Sequence, residues 1–238
     1  ILSSSLSLER PLRIAYLGPR ATFTHMAGMQ QFGLAAQYVP VESIKDVFGE
    51  VERGRVDYGV VPVENSTEGV VNYTLDMFID SDLKITAEIM LEVSQNLMNR
   101  SGKLEDIRKI YTHPQVPGQC RQWLEKNVAG IQILDAPSTA RAAEMAKDDP
   151  EVGAIASEMA AVLYGLQIVA KKIEDNPHNF TRFIVISRKP KGKTGRDKTS
   201  IMFSIKDKVG ALHSMLTPFA EAGINLNRLD ARPSGRQV

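Results

Sequence analysis

The chain has 238 residues, 43% of them hydrophobic, which suits one larger or two smaller domains with a real core. Its formal net charge of +1 argues against a nucleic-acid surface, and no basic block stands out beyond residues 189–198. A single cysteine, Cys120, excludes an internal disulfide and a cysteine-rich metal site, and no apolar run approaches the ~18 residues of a membrane helix.

The chain begins at Ile1 rather than Met, which implies something upstream that is missing or processed. Residues 1–11 read as a flexible linker, without the basic start and long apolar centre of a signal peptide. Leu12–Leu17 reads as a strand closed by Gly18-Pro19. Thr22 or Thr24 then caps a helix over about His25–Phe32. A strand that ends in such a turn before a helix is a usual place for ligand contacts in an α/β sheet. Tyr38–Val41 is a second short strand. Ser43 starts a helix with Ile44, Val47, Phe48 and Val51 on one face, and Gly54 ends it.

Tyr58–Val63 reads as a buried strand running into the polar loop Glu64–Gly69, with a helix around Val70–Phe78. Ser66 or Thr67 can cap that helix, and Glu64, Asn65 and Ser66 can equally face a ligand. An extended crossover is expected near 85–92, where Ile85, Ala87, Ile89 and Leu91 alternate with polar residues. A strand to Tyr111 leads to His113-Pro114-Gln115. The helix that follows, from about Gly118, carries Cys120 and Trp123 as core residues. Gln132–Leu134 is a strand, Ser138 an N-cap, and Ala140–Ala146 a helix. Val152–Ala156 is a strand, with Ser157 capping the helix Glu158–Tyr164. A return crossover is expected near 170–182.

The run Asp175–Arg188 turns from loop chemistry into the apolar strand Phe183–Ile186, with Thr181 and Arg182 at the junction. Arg is a natural fork for a carboxylate, and a Thr hydroxyl donates or accepts. The plain alternative is strand propensity for Thr181 and a structural ion pair for Arg182. Strand and helix alternate with two crossings, so two α/β lobes with a cleft are expected, a layout that resembles periplasmic binding proteins. The strand-end loops hold hydroxyls, amides and one or two cations, with no nucleophile–base pair, phosphate loop or metal cluster. Beyond a linker at 189–198, a strand Thr199–Ile205, a helix from Asp207 to about Ala222 and a strand Ile224–Leu229 form the first half of a small α+β module over 199–238.

These residues carry a resemblance. Gly18-Pro19-Arg20-Ala21-Thr22-Phe23-Thr24 resembles a loop of the prephenate dehydratase family, with Ala21 where glycine is usual. Glu64-Asn65-Ser66, His113-Pro114-Gln115 with Gln119-Cys120, Ser138-Thr139-Ala140 and Thr181-Arg182-Phe183 resemble further family motifs, in family order, over about residues 12–188. Gly210-Ala211-Leu212 and half of a second motif, Asp230-Ala231-Arg232-Pro233, resemble the ferredoxin-like ACT domain of the same family, incomplete in this chain. Leu8–Pro11 is similar to the linker of bifunctional members that carry a chorismate mutase domain upstream.

The resemblance implies a cytoplasmic lyase that converts prephenate to phenylpyruvate in phenylalanine biosynthesis, without cofactor or metal, as a homodimer or homotetramer. It implies Thr181 as the catalytic residue. Thr22, Thr24, Asn65, Ser66, Ser138, Thr139, Arg182 and Phe183 would bind substrate. Gly210, Ala211, Leu212, Asn225 and Leu226 would bind L-phenylalanine as a feedback effector. The two-lobed layout alone equally supports a solute-binding or regulatory protein without turnover.

Overall fold

The computed structural model describes residues 10–205 and 208–231. The chain divides into two compact units, Ile1–Gly192 and Lys193–Val238. Leu8 and Glu9 of the expected linker, Asp207 at the expected helix start, and Arg232-Pro233 lie outside the described residues.

The first unit is a mixed α/β body built on two sheets. In one, β1 (Arg13–Leu17) pairs in parallel with β2 (Gln37–Val41) and β3 (Tyr58–Asn65). A two-residue strand β4 (Gly69–Val70) folds back on the end of β3. The late strand β11 (Phe180–Ser187) then runs antiparallel between β3 and β5 (Lys84–Glu92). The central strands β1, β3 and β11 are covered on both faces and are nearly continuous apolar runs, whereas the edge strand β5 alternates. Under one face, α1 (Phe23–Phe32) packs through Ala27 against Ile14, Tyr16, Val60, Phe183 and Val185. Under the other lies α2 (Ile44–Glu52). Ser43 caps it by accepting from the Asp46 N–H at 3.1 Å, and it buries Ile44, Val47, Phe48 and Val51. It sits close because β3 has Gly59 there. A Cβ at that position would lie 2.6 Å from Val47 and 2.9 Å from Ile186.

The second sheet contains β6 (Asn96–Asn99), β7 (Lys109–Thr112), β8 (Gln132–Asp135), β9 (Val152–Ala156) and β10 (Gln167–Ala170), in the order β10-β6-β9-β7-β8. β7, β8 and β9 are parallel, while β6 and β10 are antiparallel additions. The alanine face of the helix Thr139–Ala146 and part of the helix Glu158–Tyr164 pack on one side.

Local rules misplace two helices. The helix expected around Val70 begins only at Asn72 (α3, Asn72–Met77), because Val70 pairs with Glu64 in β4. Ser66 and Thr67 therefore cap nothing. The helix expected from Gly118 is two short pieces, α4 (Val116–Gln119) and α5 (Arg121–Asn127), interrupted at Cys120. The two helices after them are α6 (Thr139–Ala146) and α7 (Glu158–Tyr164).

The chain crosses between sheets twice, at residues 93–95 and 171–179, and the crossings are tied together. Glu174 accepts from the Gln95 N–H at 2.9 Å. The Asn179 carbonyl accepts from the Val93 N–H at 2.8 Å.

The second unit contains α8 (Ala211–Glu221), which starts after Gly210 in a left-handed conformation (φ 78°). The strands expected at Thr199–Ile205 and Ile224–Leu229 do not form among the described residues, none of which is buried in this unit. A strand pattern becomes a strand only with a ladder partner and a face to bury. Here Ile201 and Met202 remain 59% and 61% exposed.

Candidate active site

Antiparallel pairing of β11 with β3 sets Thr181 directly opposite Asn65. The Asn65 side chain is oriented from behind. Its carbonyl Oδ1 accepts from the backbone N–H groups of Thr67 and Glu68 at 2.9 and 3.0 Å, an Asx-type turn. The amide Nδ2 must then face β11. It donates to Thr181 Oγ1 at 2.8 Å, to Asn179 Oδ1 at 2.9 Å and to the Phe180 carbonyl at 3.3 Å. Thr181 Oγ1 is thus an acceptor within the protein, and among the described residues no acceptor takes its own proton.

The chain of amides continues into the other sheet. Asn179, only 1% exposed, donates through Nδ2 to Gln119 Oε1 at 3.0 Å. Gln119, at the end of α4, donates in turn to Glu68 Oε1 at 3.1 Å. The loop after β3 and the helix after β7 are thereby joined around Thr181.

A second junction joins the loop after β1 to the helix after β9. Ala21 is 1% exposed and packs among apolar residues of the second sheet, including Met98, Ala136 and Ala160. Its carbonyl accepts from Ser157 Oγ at 3.1 Å, and its N–H donates to His25 Nδ1 at 3.1 Å. His25 stacks on Tyr16 with centroids 4.6 Å apart. Burial, with the Arg20 charge adding, lowers its pKa to about 4. The ring is therefore neutral and can accept the Ala21 bond. Burial also pushes Tyr16 up to about 12 against the pull of Arg20. Both junctions lie at the carboxyl ends of parallel strands, where ligands bind in open α/β sheets.

Burial also governs two other candidates for chemistry. Burial raises Cys120 to about 12, so it stays a thiol. Burial also lowers the His113 pKa, with Glu68 and Asp135 opposing. Among the described residues no group of His, Cys, Asp and Glu could hold a metal ion. A cavity of about 360 Å³ beside Trp123, Lys126 and Glu174 holds none of the residues expected to bind substrate.

The structure thus brings Thr181 and Asn65 together and gives structural work to several other expected contacts. Arg182 lies on a carboxylate cluster, with Nε 3.1 Å from Glu64 Oε2 and Nη1 3.0 Å from Glu88 Oε1, so its fork is taken. Phe183 is 1% exposed, a core side chain with no surface for a ligand. Ser66 Oγ donates to the His178 carbonyl at 3.2 Å and accepts from the Phe180 N–H at 2.9 Å, which pins the start of β11. Thr22 Oγ1 donates to the Leu17 carbonyl at 3.0 Å and accepts from the His25 N–H at 3.3 Å, which caps α1. Ser138 caps α6, accepting from the Arg141 N–H at 3.0 Å. Thr24 and Thr139 are buried in the first turns of α1 and α6.

Asn179, Gln119 and Glu68 complete the amide chain around Thr181, although sequence reasoning gave them no role. Their signal was position: each sits at a strand end or helix end inside a motif-bearing segment.

The prephenate dehydratase family model matches residues 14–191. The chain belongs to the prephenate dehydratase family. A bifunctional chorismate mutase/prephenate dehydratase of Aquifex aeolicus is 51% identical over 238 residues, which is 100% of this chain and 66% of that protein. A prephenate dehydratase of Lactococcus lactis is 37% identical over 232 residues, 93% of this chain and 81% of that protein. A crystal structure of prephenate dehydratase in complex with L-Phe from Arthrobacter aurescens matches with a TM-score of 0.79 at 32% identity, covering 93% of this chain and 76% of that one. The chain spans just under two thirds of the bifunctional relatives it matches, 66% and 64% of the first two. The prephenate dehydratase match runs from β1 to β11 and so takes in both sheets of the first unit.

Proposed function

We propose that this chain converts prephenate to phenylpyruvate, water and carbon dioxide. The observation that carries the reading is the Thr181 hydroxyl, held as an acceptor by Asn65 Nδ2 at 2.8 Å in a chain whose family is prephenate dehydratase. Prephenate has a ring carboxylate and a ring hydroxyl on opposite sides of a cyclohexadiene. The bond to the carboxylate breaks, its electron pair enters the ring, and the ring–oxygen bond breaks as hydroxide takes up a proton and leaves as water. Aromatisation drives the step, so the protein must mainly orient and protonate.

Thr181 presents its proton to the departing oxygen, while Asn65 stabilises the negative charge that builds on Oγ1. An unperturbed threonine is a very weak acid, so alignment with the leaving oxygen carries much of the effect. Asn65 is fixed before substrate arrives, because the Thr67 and Glu68 N–H groups hold its carbonyl. Ser138 Oγ accepts at the start of α6 and so keeps its own proton for a further neutral contact in this reading. The test is phenylpyruvate formation from prephenate, followed by ultraviolet absorbance, in the parent and in Thr181→Ala. The parent turns over, and the variant loses about 100- to 10,000-fold in kcat.

The second unit, in the same reading, is the first half of an ACT domain, with Gly210, Ala211, Leu212, Asn225 and Leu226 contributing to an L-phenylalanine site between subunits of a cytoplasmic homodimer or homotetramer. The A. aurescens relative was crystallised with L-Phe, which supports the choice of effector. L-phenylalanine added to the full-length protein lowers its dehydratase rate, and a rate that no concentration alters contradicts this part.

A further inference from the structure

We propose that Arg20 is the cation that seats a substrate carboxylate at this site, the part Arg182 was expected to play. The inference rests on the prephenate reading, since that substrate brings two carboxylates to a rim made largely of amides and hydroxyls.

A charge inventory of the rim points to Arg20. Arg182 is held by Glu64 and Glu88. Lys171 is held by Glu158, Lys172 by Glu92, and Arg141 by Glu144. Burial lowers the His113 pKa, with Glu68 and Asp135 opposing, which disfavours a cation there. No ion pair holds Arg20 among the described residues, and its side chain is exposed.

Its position is fixed and central. Arg20 lies in the loop at the carboxyl end of β1, and β1 is the sheet neighbour of β3, whose end carries Asn65. Its chain neighbour Ala21 is fastened to Ser157 of the second sheet. The Arg20 charge is felt by Tyr16 of β1 and His25 of α1 in the first lobe and by Tyr164 of α7 in the second. A planar fork with weak hydration matches a carboxylate, and an exposed one can take it up from solution. Such a contact acts on substrate and transition state alike, so it reads in KM rather than kcat.

The experiment compares the full chain with Arg20→Gln and Arg20→Lys. Arg20→Gln raises KM for prephenate about 10- to 100-fold, the range of one charge-assisted hydrogen bond, with kcat little changed. Arg20→Lys recovers part of the loss, and added salt weakens the parent more than the Gln variant. A KM for Arg20→Gln within about twofold of the parent overturns the proposal. Calorimetric titration of prephenate into Thr181→Ala, with and without Arg20→Gln, reads binding without turnover. If the parent makes no phenylpyruvate yet prephenate binding depends on Arg20, the turnover reading falls and Arg20 stands. Equal binding with and without Arg20 sinks the Arg20 proposal alone. A parent that neither binds nor converts prephenate sinks both.

Discussion

Two of the junctions between the lobes of the first unit are built from different materials. At the Ala21 junction an alanine methyl is buried among apolar residues of the other lobe, with a neutral histidine and a helix-capping serine completing its backbone bonds. At the Thr181 junction the contact is a string of side-chain amides, Asn65, Asn179 and Gln119, that ends on the Glu68 carboxylate. The first junction uses its hydrogen bonds up on the protein itself. In the second, the Thr181 hydroxyl accepts within the string but donates to no acceptor among the described residues. A buried apolar contact holds lobes together, whereas a directional polar network aims a group at a ligand. On the proposed reading the chemistry lies on the Thr181 side, while the Ala21 backbone serves to fasten the lobes.

The sharpest way to break this comparison is to reverse the polarity of the string without changing its shape. Asn65→Asp keeps an acceptor toward the Thr67 and Glu68 N–H groups but cannot donate to Thr181 or Asn179. Its kcat falls about 100- to 1000-fold, the effect of losing one preorganised donor, while the denaturation midpoint moves little. A large loss of stability with kcat retained would make the string a fastening too.

The fastening side is tested by acid. His25 has its folded pKa lowered from 6.5 to about 4, so the unfolded chain binds the proton more readily. The stability it contributes is full above about pH 6.5 and is lost as pH falls toward 4. For this buried ring the loss amounts to roughly 3 kcal/mol. Protonation also removes the lone pair that accepts the Ala21 N–H. Urea midpoints measured between pH 7 and 4 fall more steeply in the parent than in His25→Gln, which lacks the titration. Parallel slopes would show that the junction does not depend on a neutral His25.

Much of this was legible in the sequence, and the exceptions have physical reasons. Strand and helix order followed from apolar runs and capping residues such as Ser43, Ser138 and Ser157, because those signals are local. The switch from loop to apolar strand already put Thr181 and Arg182 at the entry of β11. That Glu64 and Glu88 wait beside Arg182 follows from the pairing of β11 between β3 and β5, which joins residues far apart in sequence. Gln119 was hidden for the same reason: it reaches Asn179 and Glu68 only because two separate sheets meet. Thr22 caps α1, as its place before the helix allowed, whereas Ser66 caps no helix and its hydroxyl instead pins the start of β11, a contact between distant segments. In the second unit the strands expected at Thr199–Ile205 and Ile224–Leu229 show the converse, since a strand pattern without a ladder partner stays open chain.

The most direct test of the central claim is the rate of phenylpyruvate formation from prephenate by the parent and by Thr181→Ala, with prephenate binding measured on both. An active parent, and a variant that binds prephenate as tightly but turns it over about 100- to 10,000-fold more slowly, is the result expected if the proton aimed by Asn65 serves the departing hydroxyl. A Thr181→Ala variant as fast as the parent would contradict it and move the chemistry away from this junction.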